Sequence, residues 1–509
     1  MLLIYPPVAK PSEPPAGLAK LSGALKAHGI RHRTLDANIE GLLFLLESAS
    51  ASTHKGLDTW TRRSLRDPRK NFSLLRDRDT YRSSDRYKRA VKDLNRALEF
   101  ASGRTGAAAG LADFQQAGLS PVRSADLMYA AEHPEQNPYF PYFKNRLSGL
   151  FEESQPSVVG FSLNYLSQAL TAFSMIGHVK NVLPGATVVL GGGLVTSWLK
   201  GLSWKNPFDG LVDRLVAGPG EHILLSMLGA PAREDMHVTP DYASFCDNEY
   251  IAPGLILPYG ASSGCYWRKC SFCPENAEGN PYTALPPDRV ISDLDNLLNQ
   301  TRPAMIHLLD NAVGIPLMKS MSEDMPGAPW YGFARANMHL TDPDFCTSLK
   351  RSGCVMLKLG LESGDQGVLD RMQKGIDLGT ASSVLRSLRR AGIGTYVYLL
   401  FGTPEETEAG ARKTLDFVVK HKEEIGFLNL AIFNMPVSSE TAREIDKHSF
   451  YEGDLSLYTD FTHPAGWDRK TVRRFLENEF KRHSAVSSIL KKDPPVFTSN
   501  HAPFFLMGD

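Results

Sequence analysis

SSGCYWRKCSFCPE, residues 262–275, gathers three of the six cysteines of this 509-residue chain with the spacing C-x4-C-x2-C. The segment follows directly on a predicted strand. Three thiolates on one tight loop, Cys265, Cys270 and Cys273, suit three irons of a [4Fe–4S] cubane and leave the fourth iron open to a further ligand. Other readings stand beside this one. A structural zinc site is closed by four ligands, and no fourth Cys or His lies at finger spacing. A ferredoxin-type electron-transfer site needs four cysteines. Three unrelated buried thiols are the plainest alternative, but Arg268, Lys269 and Pro274 are poor neighbours for core residues.

Working outward from the loop, MIHLLD, WYGFARA, VMLKLGLES, GTYVYLLFG and LNLAIFN read as strands separated by amphipathic helices. Repeated βα units with polar residues at the C-terminal strand ends describe a full or partial β/α barrel over 255–435. On these residues the chain resembles the radical S-adenosylmethionine (SAM) superfamily. The usual spacing there is C-x3-C-x2-C, preceded by glycine and with an aromatic between the last two cysteines. Gly264 and Phe272 fit those places, and one extra residue fills the first gap. The resemblance implies a SAM site that includes Phe272, Arg335 from GFARAN (332–337), and Glu362 and Ser363 from KLGLESGDQGVLDRMQKG (358–375). AGIGTYVYLLFGTPEET (391–407) resembles the fifth-strand segment that approaches adenine. Cys246, Cys346 and Cys354 read as ordinary buried thiols.

Upstream, MLLIY (1–5), a proline-rich loop, a leucine-spaced helix over 17–27 and GIRHRTL (29–35) form a βαβ opening, which implies a parallel sheet. Residues 40–150 interrupt it with Arg-, Lys-, Ser- and Ala-rich helical stretches. The rhythm resumes with SVVGFSL (157–163), a helix over 168–182, ATVVLGGG (186–193) and LVDRLVAGPGEHILLSML (211–228). The expected architecture is α/β. A doubly wound, Rossmann-like domain over 1–230 carries the insert; a linker spans 231–254, the barrel 255–435, and a small α-rich segment 436–509. The first domain resembles the cobalamin-binding domain that precedes the barrel in one radical SAM class. That resemblance implies a cobalamin site at Pro15, Gly17, Ser162, Gly191, Gly192, Gly193, Gly220 and Glu221. Glycines at the C-terminal ends of parallel strands let backbone approach a nucleotide or phosphate closely. The D-x-H-x-x-G motif that supplies a lower histidine ligand is missing from residues 5–30. Asp235, Met236 and His237 lack its glycine, and His28 and His32 read as exposed helix-end residues.

Fifty-six acidic and 56 basic side chains cancel, which gives no electrostatic reason to expect nucleic acid. No stretch approaches the ~20 apolar residues of a membrane span, and the first residues lack a signal peptide's basic region. The expected address is the cytoplasm. The combined resemblance implies an enzyme using a [4Fe–4S] cluster, SAM and cobalamin, with an electron donor such as flavodoxin or ferredoxin. Its commonest reaction is methylation of an unactivated carbon of a small molecule or peptide, through a 5′-deoxyadenosyl radical and methylcobalamin. Rearrangement, cyclisation or ring contraction without methyl transfer, and a non-catalytic cobalamin or cluster sensor, are the alternatives. No catalytic side chain is singled out.

Overall fold

The computed structural model describes residues 1–50, 56–201, 205–231, 237–324, 327–449, 453–495 and 501–506. Asp235 and Met236 lie outside them. The chain divides into two compact units, the first holding Met1–Pro253 and the second most of the chain from Gly254 on.

The first unit is built on five parallel strands: β1 (Leu2–Tyr5), β2 (Arg33–Asp36), β3 (Val158–Ser162), β4 (Thr187–Gly191) and the two-residue β5 (Arg214–Leu215). Their order across the sheet is β2-β1-β3-β4-β5. β1 is apolar because it is central, pairing Leu2 with Arg33 on one side and with Val159 on the other. It ends at Pro6, whose ring cannot donate to a ladder. The helix Ala16–Ala27 then turns Leu18, Ala19, Ala24 and Leu25 into the core. Gly23 on this helix lets the linker cross closely: a Cβ there would meet the Thr239 carbonyl at 2.2 Å. The region between β2 and β3 is helical, as its composition predicts, from Ala37–Ser50 to Phe140–Ser154. It also holds a hairpin of Ala107–Ala109 with Phe114–Gln116. Alanines and glutamines carry no β-branched signal, so the sequence hid it.

The second unit contains six parallel strands: β6 (Ile256–Tyr259), β7 (Met305–Leu308), β8 (Trp330–Ala334), β9 (Cys354–Glu362), β10 (Gly394–Phe401) and β11 (Phe427–Ile432). They pair in chain order, and among the described residues β6 and β11 do not pair with each other, so the barrel is partial. Helices such as Pro287–Thr301, Leu378–Arg390 and Glu408–Lys420 run between them and bury one apolar stripe each. The late helix Ala502–Leu506 packs at the N-terminal end of this sheet. There Phe505 fills space left by Gly394 and Gly426, where added Cβ atoms would stand 2.6 and 2.5 Å from its ring.

Candidate functional site

The cysteine loop leaves the C-terminal end of β6 and is anchored at both ends. Asp310, just past β7, accepts from the Ala261 amide (3.2 Å) and from the Ser262 hydroxyl. Burial raises its pKa, and those same hydrogen bonds oppose the rise. Gly264 has φ +72, and a Cβ there would stand 2.3 Å from the Pro281 carbonyl oxygen. In the longer gap between Cys265 and Cys270, Arg268 takes a left-handed conformation, φ +50.

The middle of the loop is gripped by Met372–Gly375, the segment that follows β9. The Ser271 amide donates to the Met372 carbonyl (3.1 Å), and the Trp267 indole N–H donates to the Gln373 carbonyl (2.8 Å). Arg335, at the end of β8, donates to the Lys374 carbonyl and stacks its guanidinium 4.4 Å from the Trp267 centroid. Gly375, φ +64, lies directly under the same indole. The Ser271 hydroxyl also donates to Glu405 (3.2 Å), beyond β10.

Of the three thiols, Cys270 is buried, while Cys265 and Cys273 are half-buried. Burial raises the pKa of Cys270, with Lys374 and Arg335 pulling it back down. Burial raises Cys273 too; amides of Asn276 and Glu275 oppose this, while the charges of Cys270 and Cys265 add to it. Among the described residues no three His, Cys, Asp or Glu side chains are gathered tightly enough for a single metal ion. Two cations beside Cys270 and amides aimed at Cys273 fit an anionic iron–sulfur cluster, whose potential net charge and hydrogen bonds set.

Glu362 ends β9 at a bulge and holds φ +70, a conformation that costs a non-glycine residue energy and collects at functional sites. Its Oε1 meets the Lys374 ammonium at 2.7 Å, both side chains largely buried. Phe272 lies under the same ammonium, 5.4 Å from its ring centroid, and packs on Phe433, Met435 and Ala442. Ser363 is fully buried: its hydroxyl accepts from the Asp365 amide (3.1 Å) and lies 3.3 Å from Thr414 Oγ1. It shapes the turn after Glu362. Below this cluster, Lys358 on β9 reaches His307 Nε2 on β7 (3.0 Å) over the Tyr331 and Phe333 rings. Beyond β10, Glu406 Oε2 accepts from the Gly402 amide (2.6 Å) and the Trp467 indole (2.9 Å); burial raises its pKa to about 7.

In the first unit, an order of 2-1-3-4-5 reverses between β1 and β3, and ligands of such sheets bind at that switch, outside the carboxyl ends of the strands. The structure brings Gly17 and Ser162 together there: a Cβ on Gly17 would be 3.8 Å from the Ser162 hydroxyl. Asn164, which the sequence reading passed over, ties the rim. Its amide nitrogen donates to Ser162 Oγ (3.0 Å), and its oxygen accepts from the Gly193 N–H (2.9 Å). Gly192, φ +110, presses on the Leu163 backbone, where a Cβ would meet an oxygen at 2.4 Å, and Gly191 closes β4 beside Val216. Pro15 sets the start of the helix carrying Gly17. Gly220 packs on Leu21, and Glu221 pairs with Lys20 at 2.7 Å, so both join that helix to Glu221–Met227. Tyr165, next along the chain from Asn164, is 52% exposed.

Residues 261–418 match the Radical SAM superfamily. The chain is 24% identical over 280 residues to the hopanoid C-3 methylase of Methylococcus capsulatus, covering 48% of this chain and 53% of that protein. It thus spans about half of that curated relative's length. Among solved structures it resembles the cobalamin-dependent S-adenosylmethionine radical enzyme OxsB, with a TM-score of 0.60 and 12% identity over 94% of this chain and 67% of that one. It also resembles the radical S-adenosylmethionine methyltransferase TsrM from Kitasatospora setae (TM-score 0.51, 15% identity, 87% and 77% covered). No helix among the described residues is long and apolar enough to cross a membrane. The chain carries a radical SAM domain and has the fold of the cobalamin-dependent radical SAM enzymes.

Proposed function

We propose that this chain is a cobalamin-dependent radical SAM methyltransferase, acting on an unactivated carbon of a small molecule or peptide in the cytoplasm. The observation that carries the reading is the convergence of Cys265, Cys270, Cys273, Arg335, Lys374 and Glu362 at the C-terminal ends of β6, β8 and β9, where β/α barrels place their active sites. When bound, a [4Fe–4S] cluster, SAM and cobalamin would supply radical hydrogen abstraction and methyl transfer.

The residues of the chain divide that work. Cys265, Cys270 and Cys273 would hold the cluster, with Arg335 and Lys374 balancing the thiolate charge. Glu362 and Phe272 would position SAM: the carboxylate is an acceptor for a ribose hydroxyl or an ammonium, and the ring is an apolar wall. Gly17, Ser162, Gly191, Gly192 and Gly193 would receive cobalamin, the serine by its hydroxyl and the glycines by leaving backbone amides open to the nucleotide tail. Pro15, Gly220 and Glu221 would support that rim by fixing the first helix, and Ser363 would hold the turn behind Glu362. A one-electron carrier such as flavodoxin or ferredoxin would reduce the cluster.

The test is anaerobic reconstitution of the full chain, which should bind about four iron and four sulfide. With reductant, cobalamin and SAM labelled in its methyl group, metabolite extract should yield labelled product together with 5′-deoxyadenosine. Product without label would identify a rearrangement or cyclisation instead. A Cys265→Ala/Cys270→Ala/Cys273→Ala chain that kept its full cluster would overturn the assignment.

A further inference from the structure

We propose that Lys374 is a positioning residue for the electrostatics of the cysteine loop: its ammonium restrains Glu362 and, with Arg335, supplies the fixed positive charge beside Cys270. The inference rests on the cluster-binding reading above and adds a control on how readily that cluster is reduced.

The geometry is specific to this side chain. Lys374 Nζ stands 2.7 Å from Glu362 Oε1 and 5.4 Å from the Phe272 centroid, and only 8% of the side chain is exposed. β9 makes room for the pair with Gly360, where a Cβ would fall 2.7 Å from Glu362 Oε1 and 3.0 Å from Nζ. The backbone of the same residue fixes the second cation, since Arg335 donates to the Lys374 carbonyl. Both flanking residues hold the loop, Gln373 through its carbonyl and Gly375 under the Trp267 indole. Lys374 therefore cannot move without the loop, and its charge is held where solvent screens it little. The ammonium lies over Phe272, which stands between Cys270 and Cys273 in the sequence, and the Ser271 amide donates to the Met372 carbonyl, so the cation is fixed against the cysteine loop.

Reduction adds one electron, taken from a low-potential one-electron donor, with no bond made or broken and no proton bound. The added negative charge is stabilised by a fixed cation nearby, and net charge around a cluster sets its potential. The opposed carboxylate of Glu362 works in the other direction. A purely structural ion pair would stabilise the fold and leave the potential where it is.

The experiment is a redox titration of the reconstituted full-length chain, following the electron-paramagnetic signal of the reduced cluster. Lys374→Gln should retain its iron and sulfide while the reduced-to-oxidised ratio, at the wild-type midpoint, falls about tenfold, or ~59 mV for a one-electron couple. Lys374→Arg should restore the wild-type value. Glu362→Gln keeps the cation and removes the opposing charge, so its midpoint should move the other way; this arm stands even if Lys374→Gln folds poorly. Unmoved potentials in variants with full clusters would overturn the inference and leave the proposed function intact. A wild-type chain that binds no cluster would overturn both.

Discussion

Gly375 lies beneath Trp267 so closely that a single Cβ at position 375 would stand 1.9 Å from the indole Cζ2. The glycine is also left-handed, at φ +64, so an alanine meets both a clash and a backbone penalty. Trp267 cannot yield without giving up its hydrogen bond to Gln373 and the stacked Arg335. Gly375→Ala should therefore displace the cysteine loop and reduce reconstituted iron content severalfold. Iron and sulfide assays on the purified chain check this, with wild-type content as the contrary outcome.

Glu362→Gln should weaken SAM binding and cost some stability. The amide keeps an oxygen that can accept from Lys374 and loses the charge an ammonium or ribose hydroxyl would meet. SAM affinity should fall about tenfold and stability by ~1–3 kcal/mol, since the largely buried Lys374 ammonium keeps an acceptor but loses its counter-charge. Calorimetric SAM titration beside thermal melts decides it. A large drop in melting temperature at unchanged affinity would make Glu362 a structural residue.

Neither early histidine should coordinate cobalt. His28 follows the C-terminal end of the helix Ala16–Ala27, with its Nδ1 2.9 Å from the Ala24 carbonyl. His32 precedes β2, its two ring nitrogens 2.8 Å from Ser22 Oγ and 2.9 Å from the Ile30 carbonyl. Both sit at the end of the sheet opposite Gly17 and Ser162. His28→Ala and His32→Ala should leave the absorption spectrum of bound cobalamin unchanged. A shift to a base-free spectrum in either variant would refute this.

Stability should fall as the solution is made more alkaline. Burial lifts Glu406 from its ordinary 4.5 to about 7. The folded chain then keeps a proton that the unfolded chain has released, so the contribution is complete below pH 4.5 and lost as pH rises through about 7. Asp36, raised to about 6 by burial, adds in the same sense in the first unit. Melts between pH 5 and 8 should show this decline. Glu406→Gln should flatten it by up to about 3 kcal/mol while the share of Asp36 remains. An identical pH profile in the variant would exclude the effect.

The sequence disclosed most where chemistry and period coincide. The cysteine spacing, the order of strands β6 to β11 and the helical insert were all legible, because each rests on local pattern. Lys374 was not, although it stands in the quoted stretch 358–375. Its role depends on Gly360, two residues before Glu362, and on Trp267, a hundred residues upstream. Asn164 was missed for a similar reason: between a strand and a helix it reads as a turn residue, and only pairing of β3 with β4 shows that it spans both. Gly220 and Glu221 illustrate the converse. A Gly–Glu turn after a short strand suits a ligand site, yet Lys20, distant in sequence, supplies the partner that ties Glu221 to helix packing.

The insert also governs how the first sheet comes to exist on the ribosome. β1 must wait for β3, since Leu2 finds Val159 only after the whole helical excursion has been made. At ~5–20 residues per second, roughly ten seconds or more pass before that partner emerges. For that interval Leu2–Tyr5 has only β2 beside it, and two strands do not hold together alone in water. The nascent chain therefore carries an unpaired apolar edge through much of its early synthesis. It is a natural client for holding chaperones, and co-expressing one should raise the soluble yield.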